Sequence, residues 1–145
     1  MTDRKPSDAE IVAKHYLIAA AWADAPEGSR PRPPRDTIRR ANRLAWLFLE
    51  LIGAETVDQV RDAHESGYGT YPDCGRDRPW LAAMGHDLWL TSQRHGSGFW
   101  DRNVLPKPLR DRLTLASRRF ETIDMQCYRG WIYLHGAAPV SLKLD

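Results

Sequence analysis

The chain has 145 residues, with 21 basic and 19 acidic side chains, a net charge of +2 and 42% hydrophobic content. That is the make-up of one globular domain with a genuine core. No apolar run approaches the roughly 18 residues of a membrane span. The charged start at 1–10 does not read as a secretory signal, and Cys74 and Cys127 are too few for a disulfide framework. The expectation is a single domain over 1–145 in a reducing cytoplasm, with an arginine-proline connector at 29–35 and a C-terminal tail at 136–145.

Ser7 and Glu10 stand at capping-box spacing just after Pro6, which predicts a helix start. Ile11, His15, Ile18 and Trp22 then recur as one helical stripe, and Pro26 and Gly28 close the element. Residues 29–35 contain three prolines and cannot be helical, so they read as a stiff, charged connector. Asp36 is the expected cap of a second helix reaching Ile52 and stopped by Gly53. Its stripe is Ile38, Ala41, Ala45, Phe48 and Ile52. Leu44, Trp46, Leu47, Leu49 and Leu51 widen its apolar surface, so it should be central or give one side to a partner, a second copy of the chain included.

Charge is uneven. Six arginines fall between Arg30 and Arg43 with one acid, Asp36, and 17 of the 21 basic residues are Arg. Such a patch attracts phosphates or acidic protein surfaces whatever the net charge. The plain alternative is a solvated face. Arg39, Arg40 and Arg43 lie near the positive end of the second helix, an unfavourable place unless an anion or an acidic side chain sits there.

Thr56 and Gln59 offer another capping box, opening a short helix with Val57 and Val60. Residues 66–78 read as a long loop, and Pro79 to Met84 as one helical turn at most. His86 to Thr91 is the expected first strand of a hairpin, turning at 93–98 into Phe99-Trp100-Asp101. Pro106 and Pro108 open a helix with the stripe Leu109, Leu113, Ala116 and Phe120. A second hairpin follows, Thr122 to Tyr128 and Trp131 to His135 around Arg129-Gly130. Its expected register puts Cys127 opposite Ile132 and Met125 opposite Leu134 on the core side, with Tyr128–Trp131, Gln126–Tyr133 and Asp124–His135 on the other. The fold class is therefore α+β, with N-terminal helices packed on a small antiparallel sheet of two hairpins and one intervening helix.

The segment Gly85-His86-Asp87-Leu88-Trp89-Leu90-Thr91, continuing through Arg94-His95-Gly96-Ser97-Gly98-Phe99-Trp100-Asp101-Arg102, resembles a block of the form GHDFWLTRNGHGAGFWDR. That block occurs in small, functionally uncharacterised proteins of bacteriophages, prophages and plasmids. Tyr16 to Trp22 echoes their YLxxALW helix, and 125–134 echoes their closing strand-turn-strand. Ser92-Gln93 replaces the usual Arg-Asn, the arginine-proline connector replaces an acidic one, and the 66–78 loop has no counterpart. The resemblance implies a mobile-element origin, hence a bacterial host cytoplasm, and an α+β fold. It carries no catalytic residues.

Within the block, His86, Asp87, His95 and Asp101 are a metal-capable or acid–base set, although no recognised ligand spacing is present. Asp87 and Asp101 equally suit the holding of turns. Trp22 and Trp46 are expected in the core. Trp89, Trp100 and Trp131 are expected on strands, where some should face outward. Exposed Trp, Tyr and Arg together make binding hot spots and stacking platforms for single-stranded nucleic acid. The candidate binding residues are Arg39, Arg40, Arg43, Trp89, Arg94, His95, Trp100, Arg102, Tyr128 and Trp131, with no catalytic residue, metal or cofactor assigned. The expected function is a non-enzymatic binding protein that occludes a host protein or ribonucleoprotein complex, in counter-defence of the anti-CRISPR kind. The alternatives are nucleic-acid binding through the 30–43 patch and, third, a small metal-dependent hydrolase.

Overall fold

The computed structural model describes residues 4–120 and 122–135; the tail at 136–145 lies outside the described residues. The first helix, α1 (Asp8–Asp24), starts as its sequence dictates. The Ser7 hydroxyl accepts from the Glu10 amide and the Glu10 carboxylate accepts from the Ser7 amide, each at 3.1 Å. Its predicted stripe is only half right. Ile11 and His15 are buried, but Ile18 lies at the surface and Trp22 is 83% exposed. The reason is that α1 has two partners, so Val12, Tyr16 and Ala20 are buried as well and the apolar surface covers most of the helix.

The second helix, α2 (Arg35–Ile52), begins on Pro34 without a side-chain cap. Asp36 does not cap it; the carboxylate lies inside the first turn, 3.4 Å from the Arg39 guanidinium. Gly53 stops the helix at φ +85°, a conformation that costs glycine little. Trp46 points outward, 50% exposed, while Leu44, Leu47, Phe48 and Leu51 fill the core. The third helix, α3 (Ala54–Ala63), starts on Gly53 and not on a Thr56–Gln59 box. Thr56 is buried, and its hydroxyl accepts from Arg112 instead. After a 3-10 turn at His64–Ser66, the expected loop runs to residue 78, broken by a second 3-10 turn at Pro72–Cys74.

The segment after this loop departs most from expectation. Residues 79–92 are neither a single turn nor a strand but one helix, α4 (Pro79–Ser92), so the first hairpin does not exist. Pro79 occupies the first helical position, where its missing N–H costs nothing. Leu81 to Gly85, Asp87 to Trp89, Thr91 and Ser92 are all buried. With ten of its 14 residues buried and none exposed, the helix shows no clear 3.6-residue polar period, which is what disguised it. Gly85 is the point of closest approach to α1. A Cβ there would lie 2.3 Å from the Val12 carbonyl oxygen and 2.9 Å from the Tyr16 nitrogen.

After α4 a loop and a 3-10 turn (Phe99–Asp101) lead to α5 (Lys107–Ser117), whose predicted stripe of Leu109, Leu113, Ala116 and, beyond its end, Phe120 is buried. Phe48 stacks on Phe99 with centroids 6.0 Å apart and meets Phe120 at 6.2 Å, joining α2 to the C-terminal half. The remaining hairpin pairs β1 (Asp124–Tyr128) with β2 (Trp131–His135) in the expected register, residue for residue. Arg129 and Gly130 both take positive φ, +50° and +81°, as a two-residue turn with the right twist requires. The fold is α+β, five helices and this two-stranded antiparallel sheet among the described residues.

The connector is drawn into the sheet. The Arg32 amide donates to the Gly130 carbonyl and the Arg32 carbonyl accepts from the Ile132 amide, both at 2.9 Å, so it runs parallel to β2. Thr37 donates to the Ile132 carbonyl and Arg40 to the Leu134 carbonyl, which ties the start of α2 to the same strand. No helix among the described residues is long and apolar enough to cross a membrane.

Candidate functional site

Two regions gather the chemically distinctive side chains. The first is the interior face of the 86–102 block. Asp87, only 2% exposed, receives Nη2 and Nε of Arg102 at 2.7 and 3.0 Å on Oδ1, and the Tyr68 hydroxyl at 2.7 Å on Oδ2. Burial raises the Asp87 pKa, and the Arg102 and Tyr68 hydrogen bonds oppose that rise. With both oxygens engaged, this carboxylate closes the block on itself.

Beside it, His86 on α4 meets His15 on α1, Nε2 to Nδ1 at 3.3 Å. One ring must donate and the other accept, so the accepting ring is neutral in this contact and the two cannot both be protonated while it holds. Desolvation, with the His86 and Lys14 charges adding to it, lowers the His15 pKa to about 4, and desolvation also lowers that of His86.

The other members of the expected acid–base set have separate partners. His95 is not at a hairpin tip; it lies 3.3 Å from Asp24, which also accepts from the Trp89 indole at 3.0 Å. Asp101 accepts from the Gly98 amide at 2.9 Å and so holds the 3-10 turn. The four residues do not converge, and no group of three or more His, Cys, Asp or Glu among the described residues could hold a metal ion. Burial pushes the Cys74 thiol up to about 11, which leaves it protonated and unreactive at neutral pH.

The second region is the outer face of the hairpin with the connector beside it. Tyr128 is 61% exposed and Trp131 40%. The Arg129 guanidinium lies 5.3 Å from the Tyr128 ring centre and that of Arg32 5.6 Å from the Trp131 ring, within cation–π range. Arg39 and Arg43 are exposed on α2, whose N-terminal turns Thr37 and Arg40 pin to β2. Arg40 itself is half-buried and contributes a hydrogen bond to the fold, so only its neighbours are wholly surface groups.

The candidate binding residues therefore separate. Tyr128 and Trp131 lie on the outer hairpin face, and Arg39 and Arg43 are exposed on α2. Trp89, expected on an open strand face, is fully buried in α4, and Arg102 is committed to Asp87. Arg94, at φ +59°, donates to the Ser92 carbonyl, and with His95 and the exposed Trp100 it lies on the turn after α4. Sequence reasoning placed Arg32 in the basic patch without its partner Trp131, and missed Arg129, Tyr68 and His15 as partners in these regions. Arg129 was legible in principle, since it sits in the hairpin turn, whereas the Arg32, Tyr68 and His15 contacts join distant segments. No family model, curated protein or solved structure matches the chain.

Proposed function

We propose that this is a non-enzymatic binding protein whose working surface is the outer hairpin face and the arginines beside it. It acts by occluding a protein or ribonucleoprotein complex of a bacterial host, in a counter-defence role of the anti-CRISPR type. One observation carries the binding reading: two exposed aromatic rings flanking the hairpin turn, Tyr128 and Trp131, each stand under a guanidinium, that of Arg129 from the turn and that of Arg32 from the connector. Aromatic and arginine side chains held in place by structure lose little entropy on binding, which is why they dominate hot spots. The mobile-element origin and the counter-defence role rest on the resemblance of 85–102 to the phage and plasmid block.

The test is capture from a bacterial lysate with and without nuclease, comparing wild type with Trp131→Ala/Tyr128→Ala. A specific protein partner retained by wild type after nuclease, and lost by the double variant, is the expected result. Equal retention by both removes the hairpin face from the reading.

A second reading has its own observation. Stacking rings flanked by arginines are also what single-stranded nucleic acid binds. Affinity for a fluorescent single-stranded oligonucleotide that falls steeply with salt, through counterion release, would favour it.

A further inference from the structure

Beside the hairpin face the surface opens into an apolar cavity of about 500 Å³, lined by Leu17 and Ala21 of α1, Pro31 and Pro33 of the connector, Ile38 of α2 and Ile132 of β2. Ile18 also lines it, and Ile18 and Ile38 are each 41% exposed, so its walls run out to water. A free small ligand is usually buried over most of its surface. A cavity with exposed apolar walls suits instead a side chain projecting from another molecule.

The exposed charges around it are mostly positive, with Asp36, 3.4 Å from Arg39, the acidic exception at the start of α2. Along the extended connector Pro31 and Pro33 line the cavity, so Arg32 between them points away from it, over the Trp131 ring, and the cations beside the cavity come from α1 and α2. On α2, Arg35 stands one turn before Ile38 and Arg39 directly after it, both exposed. Lys14 lines the cavity from α1 and has no acidic partner among the described residues, whereas the other charged lining residue, Glu10, is paired with Arg4 and with the Ser7 amide.

We infer that this cavity is the anchor pocket for an acidic amphipathic helix of the partner, which inserts a bulky apolar side chain and sets its carboxylates against the surrounding cations. The inference rests on the binding reading above and names the chemistry of its partner.

The probe is a labelled helical peptide of Glu and Ala with leucines at i, i+4 and i+7, compared with a peptide of equal charge in which serine replaces each leucine. Fluorescence anisotropy on the full chain should give the leucine peptide roughly tenfold tighter binding, the scale of one buried apolar side chain. Ala21→Phe, which fills the cavity, should abolish that difference, and Ile18→Asp at its exposed wall gives the same readout should Ala21→Phe fold poorly. Equal affinity for both peptides, weakened in each by Arg39→Glu/Arg43→Glu, overturns the pocket and leaves the arginine face standing. Binding of neither peptide overturns the pocket and the acidic-partner reading together. Self-association of wild type that Ala21→Phe abolishes identifies a second copy as the occupant and also overturns the inference.

Discussion

In α4 and the turn after it, Asp87 faces Arg102 and Tyr68, Trp89 hydrogen-bonds Asp24 from inside the core, and Asp101 holds the Gly98 amide. In the hairpin the same kinds of residue stand outward: Tyr128, Trp131 and Arg129 are exposed and meet one another or the connector instead of the core. Residue type is therefore a poor guide to role. The 86–102 block spends its histidine, carboxylates and arginine on joining segments, so changes there should be read in stability. The hairpin face contributes little to holding the chain together, so changes there should be read in binding.

The sharpest way to break that contrast is Arg102→Met. It leaves the buried Asp87 carboxylate without its cation, and loss of one partner of a buried pair costs about 3–5 kcal/mol. Urea unfolding should show this, and Asp87→Asn/Arg102→Met should recover most of the loss. A double variant as unstable as the single would mean that Arg102 acts by packing alone. Next in size, Gly85→Ala forces a methyl group against the α1 backbone and should cost about 1–3 kcal/mol, the usual scale of overpacking. An unchanged melting temperature would show that α1 can move away from α4.

The histidine pair sharpens the comparison through pH. Unfolded imidazoles titrate near 6.5, whereas folded His15 titrates at about 4 and folded His86 is shifted the same way. The folded state binds fewer protons between these values, so this contribution is complete above pH 6.5 and is lost as pH falls towards 4. The urea midpoint of wild type should drop across that window more steeply than that of His15→Gln/His86→Gln.

The smallest stability effects belong to the outer face. Arg39→Glu/Arg43→Glu should move stability by under about 0.5 kcal/mol per site while weakening partner binding. Arg40 is left out of that reversal because its guanidinium supports the Leu134 carbonyl. A large fall in melting temperature would place these arginines among the structural groups and erase the distinction between the two regions.

Much of this molecule is written locally. The Ser7–Glu10 box, the stop at Gly53, the α5 stripe and the residue-for-residue register of β1 and β2 depend on neighbours a few positions apart, and the sequence alone determines them. The α+β class follows from those elements. Tertiary structure decided the rest. A helix with no exposed residue carries no clear polar period, so the sequence of α4 reads as a strand, whereas in the fold α1 packs over its Gly85. Trp22, one step along a convincing apolar stripe, faces water, while Trp89 in the polar-looking block is enclosed. Asp87 meets a tyrosine 19 positions before it and an arginine 15 after it. Hydrogen bonding and burial at that range depend on how helices cross, and spacing along the chain does not encode the crossing.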